Sequence, residues 1–402
     1  ADQLTSLGKD DFEKKNIDGK GVRIAVFDAG FPGVDTNPAF EHIRKENRII
    51  KTYDFVRKKE NVYGANSHGT MVLSCIAGMV GEKKTGLATG AEFLLARTER
   101  AFAEPYSEEE NWMAAAEWAD KNGAHIINSS LGYTAHRYFT EDMDGSSLVA
   151  RAANMAAAKG ILVVNAAGNE ATGKWKIIGT PADADSVLTV GGIDPETYYH
   201  VDFSSFGPTA TKIMKPNVSS YGIVIAADAK KLTKTQGTSF SSPLVAGFAA
   251  CALQAKPELK TMELFREIEK SGDLFPYYDY AHGFGIPRAA YFTSASTVKP
   301  PTFELTVDKA VVKVIIDKDA MPKERVFELK EGEGLITETL TTYISQRKHY
   351  LHYHIENQQG TLDKYYVVNV ESPEVLVLPA SDFKAGQILR VHYKGYTQSH
   401  NF

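Results

Sequence analysis

Between Gly21 and about Ala290, short runs of apolar and β-branched residues alternate with longer alanine-rich stretches of helical period. Few architectures accept this alternation: strands separated by helices of that length lie parallel, with helices covering the faces of the sheet. The strand candidates are Val22–Phe27, Glu92–Ala96, His125–Asn128, Ile161–Asn165 and Val187–Val190, with a further run at Ile223–Ala226. Helices are expected from His68 to Val80, from Ser107 to about Lys121, from about Ser147 to Lys159, and from near Ser239 through Ala255. Ser107 and Glu110 have the spacing of a capping box, and Gly160 is a natural stop for the third helix.

Past Ser296 the alanine-rich pattern ends, and Lys299-Pro300-Pro301 reads as a linker. The segments Val311–Ile316, Arg325–Leu329, His349–Ile355, Tyr365–Val370, Val375–Leu378 and Ile388–Tyr393 follow, many of them alternating and separated by polar turns, as in a β-sandwich. A chain of 402 residues exceeds one ordinary domain. The expectation is an α/β domain over residues 1–297 and an all-β sandwich domain over residues 298–402.

Composition narrows the function. The net charge of -5 offers no basic footprint for nucleic acid or an anionic membrane, and no apolar run reaches the eighteen residues of a membrane span. Cys75 and Cys251 lie in apolar helical stretches and read as buried free thiols rather than a bridge, which leaves the compartment open. Residues 1–20 lack the basic start and apolar middle of a signal peptide, so the chain reads as cytosolic or as a processed form.

Three segments carry residue types suited to chemistry. In Val22-Arg23-Ile24-Ala25-Val26-Phe27-Asp28-Ala29-Gly30 a carboxylate follows an apolar strand, at the edge where open α/β sheets bind ligands; alone, it also reads as a turn-forming Asp. In Asn66-Ser67-His68-Gly69-Thr70 a histidine opens a helix, in either a catalytic or a capping role. In Gly237-Thr238-Ser239-Phe240-Ser241-Ser242-Pro243 a serine opens a helix, with Pro243 tolerated about one turn in. A plain N-cap explains Ser239 but not its surroundings.

Together these segments resemble the subtilisin-like serine proteases, or subtilases, in which Asp, His and Ser occur in this order. The resemblance covers about residues 5–295 and includes Ile126-Ile127-Asn128-Ser129-Ser130-Leu131-Gly132, Val163-Val164-Asn165-Ala166-Ala167-Gly168-Asn169 and Tyr280-Ala281-His282-Gly283-Phe284-Gly285. It implies a subtilisin-like three-layer α/β fold with a mostly parallel sheet and a serine endopeptidase activity. Asp28, His68 and Ser239 would form the catalytic triad and Asn169 the oxyanion donor. Ser130, Leu131, Gly132, Ala166, Ala167, Gly168 and Gly179 would shape a roomy apolar pocket that prefers a large hydrophobic residue before the cleaved bond.

The partners implied are polypeptide substrates and an inhibitory N-terminal pro-segment, the location secreted or cell surface, and no cofactor is implied. Met71, Phe240 and Leu244 depart from the commoner family residues without removing a catalytic atom. The loop Gly81-Glu82-Lys83-Lys84-Thr85-Gly86 carries two lysines where many subtilases bind calcium, so that site is expected to be absent. The rival readings are a degenerate subtilase-fold scaffold, which would lack one of the four key residues, and a serine-carboxyl peptidase, which would carry an acid in place of His68. In the C-terminal region His352 and His354 share a strand face, read as ordinary exposed residues rather than metal ligands.

Overall fold

The computed structural model describes residues 2–100, 103–322 and 349–402. Two compact units emerge, one of Ala1–Pro195 with Tyr199–Ser296 and the other of Glu196–Tyr198 with Thr297–Phe402.

The first unit is built on seven parallel strands: β1 (Arg23–Asp28), β2 (Ile49–Asp54), β3 (Glu92–Arg97), β4 (Ile126–Ser129), β5 (Leu162–Ala166), β6 (Val187–Ile193) and β7 (Val218–Tyr221). Their spatial order is β2-β3-β1-β4-β5-β6-β7. The order reverses between β1 and β4, and a crevice at the carboxyl ends of such strands is where open α/β sheets place their ligands. Ile223–Ala227, grouped by sequence with the sheet strands, instead forms an antiparallel hairpin with Leu232–Gln236.

Helices cover both faces. Alternate side chains of the strands, among them Ala25, Phe27, Ile127 and Val163, share a core with Trp112, Ala115 and Ala119 of α2 (Ser107–Lys121) and with Val149 and Ala153 of α3 (Leu148–Ala158). The opposite face packs under α1 (His68–Ala77) and α4 (Thr238–Ala255), the latter lying across β4 to β7. Helix α4 is apolar around its circumference, as a helix buried on all sides must be. Cys75 of α1 and Cys251 of α4 are both free and buried. Burial pushes the Cys75 thiol up to about 12 and raises Cys251 as well, so neither is a reactive thiolate near neutral pH.

Two helix starts show why the local signals worked or failed. Ser147 caps α3, its Oγ accepting the Ala150 N–H at 3.0 Å. The Ser107/Glu110 capping box does not form, because the helix begins at Ser107 itself and Tyr106 occupies the cap position. Within Gly81–Gly86, Gly81 and Glu82 turn a short hairpin that pairs Met79–Val80 with Lys83–Lys84, and the Lys84 ammonium meets Glu13 at 3.0 Å.

The second unit consists of antiparallel sheets. One orders β8 (Phe303–Val307), β9 (Val311–Ile316) and β12 (Glu374–Pro379); the other orders β11 (Leu362–Asn369), β10 (Tyr350–Glu356), β13 (Ile388–Tyr393) and β14 (Tyr396–Asn401). Val312, Val314 and Ile316 from the first sheet and Leu351, Tyr353, Leu389 and Val391 from the second share one core, the period-two pattern of strands with one face turned inward. The expected strand Arg325–Leu329 lies outside the described residues. His352 and His354 are buried rather than exposed, and Arg390 donates to His354 Nε2 at 2.9 Å. Among the described residues no group of three or more His, Cys, Asp or Glu side chains is placed to hold a metal ion.

Candidate active site

Asp28 ends β1, and strand register decides which way it faces. Because Ala25 and Phe27 enter the core under α2 and α3, Asp28 projects to the opposite face, toward α1. That helix approaches closely because its second residue is Gly69. A Cβ there would lie 2.2 Å from the Gly30 carbonyl oxygen and 2.9 Å from Asp28 Cβ.

His68 opens α1 over this contact. Its Nδ1–H donates to Asp28 Oδ1 at 2.8 Å, and the same oxygen accepts the Ala29 N–H at 2.8 Å. Asn66 Oδ1 takes the His68 backbone N–H at 2.8 Å and fixes the start of the helix. Asp28 is buried and His68 is partly exposed. Burial works against a charged His68, but the charge and hydrogen bond of Asp28 outweigh it and hold the imidazole pKa above the ordinary histidine value.

Ser239 arrives on α4, which packs beside α1 on the same face of the sheet. Gly237, at φ +142°, turns the chain into a helix that begins at Thr238, making Ser239 its second residue and Pro243 its sixth. Pro243 therefore lies deeper than the sequence reading placed it. Its missing N–H would have gone to the carbonyl of Ser239, four residues back. Ser130 Oγ takes that freed carbonyl at 2.8 Å, while Ser239 Oγ donates to the Ser130 carbonyl at 3.3 Å. The pair of bonds ties the serine to the end of β4. Asn128 and Ser242 extend the tie: Asn128 Nδ2 donates to Ser130 Oγ at 3.2 Å, and Ser242 Oγ donates to Asn128 Oδ1 at 2.8 Å.

Asn169 is oriented by Thr238, whose part the sequence reading missed. The Thr238 N–H and hydroxyl both donate to Asn169 Oδ1, at 2.9 and 3.0 Å, and the Gly168 N–H donates to Thr238 Oγ1 at 3.1 Å. A backbone N–H can only donate, so this network forces the carbonyl of the Asn169 amide inward. Its Nδ2 and the Ser239 N–H form no hydrogen bond among the described residues, and α4 adds the positive end of its dipole beside them. The only sequence signal for Thr238 was its place between Gly237 and Ser239.

His68, Asn169, Thr238 and Ser239 line one cleft of about 350 Å³. Ser130, Leu131, Gly132, Ala166, Gly168 and Gly179 line it too. Ala167 does not; its side chain is buried with Ile178 and Ala182. A Cβ on Gly179 would lie 2.9 Å from Thr134 Cγ2 and 3.0 Å from the Tyr133 carbonyl oxygen, so a larger residue there would push against this wall of the cleft. The ring of Phe240 packs 5.4 Å from His68, centroid to centroid. Glu99, Arg100, Glu104 and Glu170, not singled out from sequence, also line the cleft.

Residues 19–285 match the profile of the Subtilase family, Peptidase_S8. Subtilisin DY of Bacillus licheniformis is 29% identical over 277 residues, which span 67% of this chain and 91% of that protein. Alkaline elastase YaB of Bacillus sp. (strain YaB) is also 29% identical, over 64% of this chain and 61% of its own length. Among solved structures, the MycP3 protease from the type VII (ESX-3) secretion system superposes with a TM-score of 0.59 at 19% identity, covering 74% of this chain and 88% of that one. The likeness in fold thus persists well below the sequence identity of the subtilisins.

Proposed function

Since the chain belongs to the subtilase family and is a serine protease, we propose that Asp28, His68 and Ser239 are its catalytic triad and Asn169 its oxyanion donor. The observation that carries this reading is that His68, hydrogen-bonded to Asp28 at 2.8 Å, lines the same cleft as Ser239 and Asn169, whose Nδ2 forms no hydrogen bond among the described residues.

In the reaction His68, neutral and held in its Nδ1–H tautomer by Asp28, takes the Ser239 proton as the hydroxyl swings from the Ser130 carbonyl to attack the scissile carbonyl. Asp28 stabilises the imidazolium. Asn169 Nδ2 and the Ser239 N–H bind the tetrahedral oxyanion, the amine leaves with the proton from His68, and water repeats the sequence on the acyl-enzyme. Asn169→Ala is expected to lower kcat about a hundredfold or more with little change in thermal stability, a size carried over from a subtilisin oxyanion donor rather than derived from this chain. Peptide kinetics beside a melting curve check it. A kcat within threefold of the unaltered protein would remove Asn169 from the mechanism.

The apolar wall of Leu131 and Ala166, with glycines at 132, 168 and 179, supports a preference for a large hydrophobic residue before the scissile bond. A peptide library cleaved predominantly after Phe, Leu, Tyr or Met is the expected result; cleavage after Arg, Lys or Asp would overturn it. We also propose that residues 298–402 form a β-sandwich domain with its own core, that the protease is kept inactive by an N-terminal pro-segment until processed, and that it acts outside the cell. Among the described residues no helix is long and apolar enough to cross a membrane.

A further inference from the structure

We propose that Glu99 makes this protease select a basic residue immediately before the hydrophobic one, a specificity that rests on the triad reading above and adds a second determinant to it.

The placement follows from the sheet. Arg97, the last residue of β3, is the register partner of Asp28, and the Thr98 N–H continues the ladder to the Asp28 carbonyl at 2.9 Å. Paired residues project to the same face, and two residues on the chain returns to that face, so Glu99 stands on the catalytic side and lines the cleft with His68 and Ser239. A substrate in the cleft is extended, and neighbouring side chains of an extended chain point to opposite sides. If the residue before the scissile bond enters the pocket between Ser130–Gly132 and Ala166–Gly168, its predecessor points back across β1 toward the end of β3. Glu99 stands there.

Charge then decides what the predecessor is. Glu99 forms no hydrogen bond or ion pair through its carboxylate among the described residues. The acids around it are differently placed: Glu104 meets His136 at 3.1 Å, Glu108 Oε1 accepts the Arg100 N–H at 2.7 Å, and Asp28 is engaged by His68. Among the described residues, Asp28 Oδ2 and Glu108 Oε2 are buried without a hydrogen-bond partner, so two carboxylate oxygens on this side of the cleft are unmatched. Arg100 lines the same cleft, yet its guanidinium forms no ion pair among the described residues. Burial first, then Asp28, Glu108 and Glu104, hold the Glu99 carboxyl well above the usual range, while Arg137 and Arg100 offset part of the charge at Glu108. A substrate ammonium or guanidinium favours the ionised Glu99 carboxylate and pairs with it; a substrate carboxylate adds another negative group beside Asp28, Glu108 and Glu104.

The test is kcat/KM on peptides that share Phe before the scissile bond and carry Lys, Leu or Glu one position earlier. The unaltered protein is expected to favour Lys over Leu by about tenfold or more, the worth of one charge-assisted contact, and to cleave the Glu peptide worst. In Glu99→Gln the Lys-to-Leu ratio falls toward one, and in Glu99→Lys the order inverts in favour of Glu. Because the neutral carboxyl loses the contact, the ratio in the unaltered protein rises with pH through the Glu99 titration, a slope absent from Glu99→Gln. A Lys preference that survives in Glu99→Gln, or no preference in an active unaltered protein, would overturn the proposal. Loss of activity on every peptide in Glu99→Gln would overturn it as well and assign Glu99 to the support of Asp28. Failure of the triad reading looks different: the unaltered protein would then resist a serine-directed inhibitor on every peptide.

Discussion

Replacing Ser239 by alanine is expected to lower kcat by about a millionfold, a size carried over from the nucleophile of a subtilisin. The physical basis is that no other group in the cleft can take its place. Ser130 Oγ lies nearby, but it is committed to the Ser239 carbonyl at 2.8 Å, the acceptor that Pro243 leaves free. Ser241 and Ser242 lie on the same helix, and their hydroxyls donate to the Tyr221 carbonyl at 3.1 Å and to Asn128 at 2.8 Å. Folding should be little affected, since the Ser239 hydroxyl makes one long bond at 3.3 Å. Turnover of a peptide amide by purified Ser239→Ala, beside its circular dichroism and melting temperature, checks both halves. Activity within tenfold of the unaltered protein would contradict the assignment.

Asp28→Asn is expected to cost about 10⁴ in kcat near neutral pH, a size again borrowed from the serine-protease template. Asp28 Oδ1 accepts from both His68 Nδ1 and the Ala29 N–H, while Oδ2 is buried without a partner among the described residues. An amide that keeps its oxygen toward His68 must bury an NH₂ in place of Oδ2, which makes no hydrogen bond among the described residues. One that flips presents a donor to Nδ1 and drives the ring proton to Nε2, where it blocks the base. The pH profile carries a second signature. Catalysis needs neutral His68, so the unaltered protein loses activity as pH falls through a pKa that Asp28 holds above the ordinary histidine value. Without that charge the imidazole is easier to deprotonate, and the acid limb of the residual activity moves to lower pH. An unmoved acid limb would separate Asp28 from His68.

Much of this arrangement was legible because the functional residues sit where local signals are strong. Asp28 follows an apolar strand, His68 precedes a glycine forced by contact with Gly30, and Ser239 follows a glycine at φ +142°. What escaped detection lacked apolar patterning. Strand β2 lies at the edge of the sheet, half open to solvent, so its residues Ile49–Asp54 are mixed. Strand β7 is fully buried yet reads Val-Ser-Ser-Tyr. Its serines are satisfied across the fold, Ser219 on the His282 carbonyl and Ser220 on the Ser241 carbonyl, each at 2.9 Å, contacts that no local window reveals. Thr238 and Glu99 escaped for the same reason. One acts through Asn169, 69 residues away in the chain, and the other reaches the cleft only because β3 lies beside β1.

A fluorophosphonate probe reports on the proposed triad directly, because it reacts with a serine only when a neighbouring base has activated it. After labelling and digestion, mass spectrometry is expected to find one adduct, on Ser239, and none in His68→Ala. No adduct on the intact, folded protein, or one on Ser130, Ser241 or Ser242 instead, would contradict the account.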